Sequence, residues 1–181
     1  MTQVSPLAGF VECIPMSITP ILKEADIFYD LTPTQLELIA SICQTQTYND
    51  GDVIFTENSA SAELYVVAEG EIAIQVDTAI FGKGNTGRLT GPRTVATFRI
   101  GQSFGEVALL DEGLRSATAR CVKNGTTLII IPRQRLINLC DMYPQLGYRL
   151  MFNLATDLAT KIRGADMQIR EQIMYSQQSE E

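Results

Sequence analysis

The chain has 181 residues, 45% of them hydrophobic and 19% charged, with a formal net charge of −7 and no histidine. That length suits one well-buried domain and is short for two. The acidic balance argues against a broad nucleic-acid surface, whose affinity comes largely from neutralised phosphates, and the missing histidine excludes a barrel enzyme built on a histidine-held metal.

Residues 1–16 read as an irregular, flexible segment without the basic start and apolar run of a secretory signal. Ser17 is a candidate cap for a short helix over Ile18–Leu22, with Pro20 tolerated in its first turn. Thr32, Pro33 and Gln35 then spell a capping box with proline at the first helical position. Leu36, Ile39, Ala40 and Cys43 recur at helical spacing and predict a second helix ending near Cys43 or Gln44.

From Gln46 the period shifts. An Asn49-Asp50-Gly51-Asp52 turn precedes Val53-Ile54-Phe55, and strands over Glu63–Ala68 and Glu71–Val76 flank a turn at Gly70. Ile72, Ile74 and Val76 alternate with smaller or polar residues, which predicts one buried face. Phe81 to Pro92 holds four glycines and reads as a mobile hairpin loop whose spacing matches no common phosphate-binding motif. Thr94–Ile100 is a further strand, with Ala96, Phe98 and Ile100 on one face. Thr118–Val122 and Thr126–Ile131 follow, joined by an Asn124-Gly125 turn. Short strands at this spacing predict a mainly β fold with flanking helices, arranged as a β-roll or jelly-roll-like barrel.

Pro132 ends the sheet. A short helix is expected from Arg133 to about Cys140, and Pro144 opens a much longer one striped with Leu150, Leu154, Leu158, Ile162, Ala165, Ile169 and Ile173. Its first half is expected to pack on the roll. Beyond Ile162 it is either a frayed amphipathic end or a partner helix, the same helix of a second subunit being the favoured partner. Residues 17–175 are expected to form the single domain, followed by a disordered tail over 176–181. No apolar run approaches the ~20 residues of a membrane span. Cys13, Cys43, Cys121 and Cys140 have neither a zinc spacing nor a disulfide framework, so reduced thiols in a cytoplasmic protein are expected.

The chemistry concentrates in Phe104-Gly105-Glu106-Val107-Ala108-Leu109-Leu110 and Arg115-Ser116-Ala117-Thr118. Gly105 lets a ligand lie against the backbone. Glu106 to Leu110 make about one helical turn, whose first amides lack intrahelical partners. Arg115 offers a fork that matches two phosphate oxygens, and Ser116 adds a hydroxyl. Glu106 would repel a phosphate, so its place there makes sense as an acceptor for sugar hydroxyls. The competing reading is an ordinary Arg115–Glu106 ion pair at the end of a sheet.

This segment closely resembles the phosphate-binding cassette of cyclic-nucleotide-binding domains, with Leu114 where the family pattern has proline. The resemblance implies a cyclic nucleotide ligand and no metal. It assigns Gly105, Val107 and Ala108 to backbone contacts, Glu106 to the ribose, Arg115 to the exocyclic phosphate oxygens, and Ser116 with Ala117 to the phosphate. The nucleotide would lie inside the roll, which makes Ile74 a candidate wall residue, although ordinary core also accounts for it. The last helix would act as a lid whose position shifts on binding. Bacterial activators of the family contact adenine through small hydroxyl residues on that helix; the corresponding positions here read Lys161 and Ile162. Cyclic AMP is the first ligand expected and cyclic GMP the second.

The expectation is therefore a stand-alone binding module, not an enzyme, that signals through its last helix to an effector or within a homodimer, without a DNA-binding domain and without contact to nucleic acid or membrane. The alternative is a scaffold or dimerisation module that keeps the fold and binds no nucleotide.

Overall fold

The computed structural model describes residues 18–77 and 91–178. The expected flexible start, Ser17, most of the glycine-rich loop and the last three residues lie outside this range. Eight short strands build the centre: β1 (Gln44–Tyr48), β2 (Val53–Phe55), β3 (Leu64–Glu69), β4 (Glu71–Asp77), β5 (Pro92–Arg99), β6 (Ser103–Phe104), β7 (Thr118–Cys121) and β8 (Thr126–Ile131). They form two four-stranded sheets, β1-β8-β3-β6 and β2-β7-β4-β5, and every described pairing is antiparallel. Helices α1 (Thr19–Glu24), α2 (Pro33–Ile42), α3 (Glu106–Asp111), α4 (Arg133–Met142) and α5 (Pro144–Gln178) complete the chain. This is the expected β-roll with N-terminal helices and a long C-terminal helix.

The two most apolar strands are apolar throughout because both of their faces are covered. On β3, Leu64 and Val66 pack among the helices, while Tyr65 and Val67 point into the roll. Strand β8 divides in the same way, with Ile129 and Ile131 on the helical side and Leu128 in the roll. One sheet thus separates two cores, and the period of two decides which side chain enters each. The turn between β3 and β4 needs its glycine. Gly70 has φ +89°, and a Cβ there would collide with the Thr126 side chain, whose Oγ accepts from the Glu71 amide at 3.2 Å and donates to the Lys123 carbonyl at 2.7 Å.

The capping box at the start of α2 is formed as expected, with both reciprocal bonds between Thr32 and Gln35 in place. Four elements differ from the sequence expectation. Helix α1 starts at Thr19, and its N-cap is Ile18, which makes no side-chain cap bond. Strand β1 was not foreseen: its Gln-Thr-Gln-Thr run is exposed on the edge of its sheet and carries no apolar alternation. Strand β5 ends at Arg99, with Phe98 and Ala96 opposite Ile72 and Ile74, and Ile100 sits outside it in a turn, 57% exposed. Helix α5 reaches Gln178, three residues into the segment expected to be disordered.

Helix α5 divides where its burial stops. Leu146, Leu150 and Leu154 are fully buried in the helical core, Leu158 is half-buried, and Ile162, Ile169 and Ile173 are exposed. A polar anchor fixes the buried half: Asn153 donates to the carbonyls of Ile27 (3.1 Å) and Tyr29 (2.7 Å). The three described cysteines are unpaired, and burial pushes the Cys43 thiol up to about 12. Among the described residues no helix is long and apolar enough to cross a membrane. Replacing Asn153 by Ala should lower stability by about 1–3 kcal/mol, because two carbonyls lose a buried donor. An unchanged urea midpoint at an unchanged slope would contradict this account of the anchor.

Candidate functional site

The site begins where β6 runs out. Phe104 points into the roll, stacked on Tyr65 with ring centroids 5.1 Å apart, and the chain then turns at Gly105 into α3. Gly105 caps that helix with φ +87°. A Cβ there would stand 2.7 Å from Arg115 Nη1 and 3.0 Å from the Glu63 carbonyl. The glycine therefore serves a left-handed backbone and a close approach at once.

That approach is made by a charged group. Arg115 is 2% exposed. Its backbone is held by the turn before β3, with its amide donating to Ser59 O (3.0 Å) and its carbonyl accepting from the Asn58 amide (2.8 Å). Its guanidinium donates to Ser61 Oγ at 2.7 Å, Gly105 O at 3.1 Å and Glu63 O at 2.9 Å, and pairs with Glu63 Oε2 at 3.3 Å. Its Cζ lies 4.1 Å from the Phe55 ring centroid, a cation–π contact. Burial pulls the guanidinium below its usual range, opposed by Tyr65, Glu63 and Glu106. Burial, with Glu63 beside it, pushes the Tyr65 phenol up to about 12.

Glu106, at the start of α3, is 6% exposed. Its partner is not Arg115 but Lys161 of α5, whose Nζ is 3.1 Å from Oε1 and also 3.1 Å from the Ser103 carbonyl. The same ammonium lies 2.8 Å from Asp157 Oδ2 and 5.1 Å from the Phe98 ring centroid. The expected alternative of a plain Arg115–Glu106 pair is thus not what forms. Each charge has a separate partner.

Between these two ion pairs lies a cavity of about 110 Å³. Gly105, Glu106, Val107, Arg115, Ser116, Ala117 and Ile74 line it, together with Phe55, Phe98 and Phe104. Ala108 follows Val107 in the first turn of α3. The residues singled out from the sequence thus share one end of the roll, with a cation and a carboxylate buried on opposite sides of an aromatic floor. A larger hollow of about 460 Å³ lies beyond Glu63, between Gln44, Tyr48, Tyr65 and Arg135. Its arginine is exposed and no helix start faces it, so the smaller cavity is the better anion site. Sequence reading missed Ser61 and Glu63, the partners of Arg115, because they lie more than 50 positions away and follow no local spacing. Among the described residues no cluster of three or more His, Cys, Asp or Glu side chains is placed to hold a metal ion.

Residues 45–143 match the sequence profile described as the cyclic nucleotide-binding domain. Over 148 residues the chain is 33% identical to the cyclic AMP receptor protein of Thermus thermophilus, spanning 82% of this chain and 62% of that relative. The crystal structure of the Thermus thermophilus catabolite activator protein superposes with a TM-score of 0.66 at 32% identity, covering 81% of this chain and 62% of that one. A more distant match is mouse cGMP-dependent protein kinase 2, 23% identical over 135 residues, which are 75% of this chain and 17% of the kinase.

The geometry makes Gly105 a stability determinant as well as a site residue. Gly105→Ala should cost about 1–3 kcal/mol from the left-handed backbone alone, and more where the added methyl meets Arg115. A denaturation midpoint equal to that of the parent protein would show that the turn tolerates a side chain.

Proposed function

The chain belongs to the cyclic nucleotide-binding domain family, and on that premise we propose that it is a sensor that binds one cyclic mononucleotide and signals through α5. The observation that carries this reading is the pairing of a buried guanidinium and a buried carboxylate across Gly105 on one cavity. In this reading the exocyclic phosphate oxygens take Arg115, helped by the Ser116 hydroxyl and the Ala117 amide. The amides of Val107 and Ala108, at the start of α3, turn toward the phosphate and ribose beside Gly105. Glu106 accepts the ribose 2′-hydroxyl, and Ile74 with the aromatic rings walls the base. Each group then has a partner of matching chemistry, a fork for two oxygens and a carboxylate for hydroxyls.

Cyclic AMP is the first ligand, supported by the relative named a cyclic AMP receptor protein, and cyclic GMP the second, supported by the kinase relative. No metal takes part in the proposed contacts, and none of them performs a reaction, so the role is recognition rather than catalysis. The unpaired described cysteines support a reducing, cytoplasmic setting.

The exposed half of α5 supports an output through protein contact. Leu158, Ile162, Ala165 and Ile169 follow a 4-3-4 spacing, the seam of a two-stranded coiled coil. A second copy of the same helix is the proposed partner, with an effector protein as the alternative. Replacing Ile162 and Ile169 together by Glu should halve the mass measured by analytical ultracentrifugation. Equal masses for parent and variant would remove the dimer from the proposal.

The binding reading is tested by thermal unfolding with cyclic AMP, GMP, CMP and UMP and a cyclic dinucleotide. A ligand at 100 times its Kd stabilises the folded state by about 2.7 kcal/mol, a clear rise in Tm. Arg115→Ala should lose about 2–5 kcal/mol of binding, scored against its own lower baseline because three acceptors lose their donor. No shift with any nucleotide would favour the scaffold reading instead.

A further inference from the structure

Lys161 stands out from the rest of its helix. From Ala159 onward it is the one described side chain of α5 that is not exposed. Its ammonium joins α5 to the rim of the cavity through two directed bonds, to Ser103 O and Glu106 Oε1. The third neighbour, Asp157 Oδ2, lies one turn back on the same helix at 2.8 Å and receives no directed hydrogen bond.

The cavity beside this contact is about 110 Å³. A dry cavity of roughly 150 Å³ accommodates benzene, and sites for drug-sized ligands run to about 300–1,000 Å³. A base, a sugar and a phosphate together need more room than the walls now leave. The Arg115 side cannot yield cheaply, because its guanidinium is tied to Ser61, Glu63 and Gly105 and covered by Phe55. The Lys161 side can. Its side chain is 30% exposed, it belongs to a helix that faces solvent from there on, and Asp157 is already in place to keep the ammonium paired when Glu106 is given up.

We propose that Lys161 is a latch, holding α5 against the Ser103–Glu106 rim until a cyclic nucleotide displaces it from Glu106. The proposal rests on the nucleotide reading above and specifies its regulation. The sugar hydroxyl and the ammonium compete for one carboxylate, so binding frees α5 around Lys161 and the helix reports occupancy. A ligand that binds only the unlatched form shows its intrinsic affinity reduced by the fraction of molecules unlatched. Removing the latch therefore tightens binding.

The test compares the parent protein with Lys161→Met, which keeps the stem over Phe98 and removes the charge, using titration with a fluorescent cyclic AMP and a fluorescent cyclic GMP. Circular dichroism checks that the variant is folded. The expected result is a Kd several-fold to tenfold lower in Lys161→Met, and in the parent protein a nucleotide-induced rise in amide exchange across residues 157–165 that the variant does not show. Binding by the variant alone would also support the latch. A Kd in the variant equal to or higher than that of the parent overturns it, since Lys161 would then be a bystander or a counter-ion that helps the anionic ligand, and the nucleotide reading would stand. Binding by neither protein overturns the latch and the nucleotide reading together.

Discussion

A guanidinium that is 2% exposed imposes a constraint that the surrounding chain must meet. Taking such a charge out of water costs several kcal/mol unless acceptors replace the lost hydration. Arg115 finds them in the segment entering β3, through Ser61 and Glu63, and in the Gly105 carbonyl after β6. Phe55 of β2, in the other sheet, closes over its face. One side chain thus ties together both sheets and the glycine turn, and that turn must be glycine because the guanidinium occupies the space a Cβ would need. The anion-binding group is also the element that fixes the geometry around it.

The rest of the fold explains why this group sits at the end of the roll. Strands β3 and β8 carry apolar side chains on both faces, so a helical core forms on one side and the aromatic interior on the other. Helix α5 belongs to the first core up to Leu154 and leaves it before Ile162. The stretch between them passes the cavity rim, where Lys161 reaches Glu106. The helix is therefore anchored at Asn153, tethered at Lys161 and free of the roll beyond. A change at the tether has solvent, rather than packed core, to move into.

Legibility in the sequence followed the range of the signals. The capping box of α2, the glycine turns and the alternation in β4 are local, and each formed where the residues indicated. The cassette could be read as a unit because Gly105 to Ala117 are contiguous apart from one loop, and they converge on one cavity. The ion-pair partners could not. Glu63 and Lys161 are set by how sheets and helix close on one another, at separations of 52 and 55 residues, and no periodicity encodes them. Strand β1 was invisible for another reason: an edge strand with both faces wet has no buried side to alternate against.

The charges around the cavity make a single argument. Arg115 is opposed by Glu63, and Glu106 by Lys161, which is itself shared with Asp157. An arriving phosphate meets a cation that already has a carboxylate at 3.3 Å, and an arriving sugar meets a carboxylate that already has an ammonium. Binding at such a site is an exchange of partners, and its free energy is a difference between two sets of charge-assisted bonds. The exchange at Arg115 stays inside the roll, among groups anchored on strands. The exchange at Glu106 involves a side chain from another element, so only that half carries a consequence beyond the site. The phosphate end is built to hold the ligand, and the sugar end is where holding it becomes motion of α5.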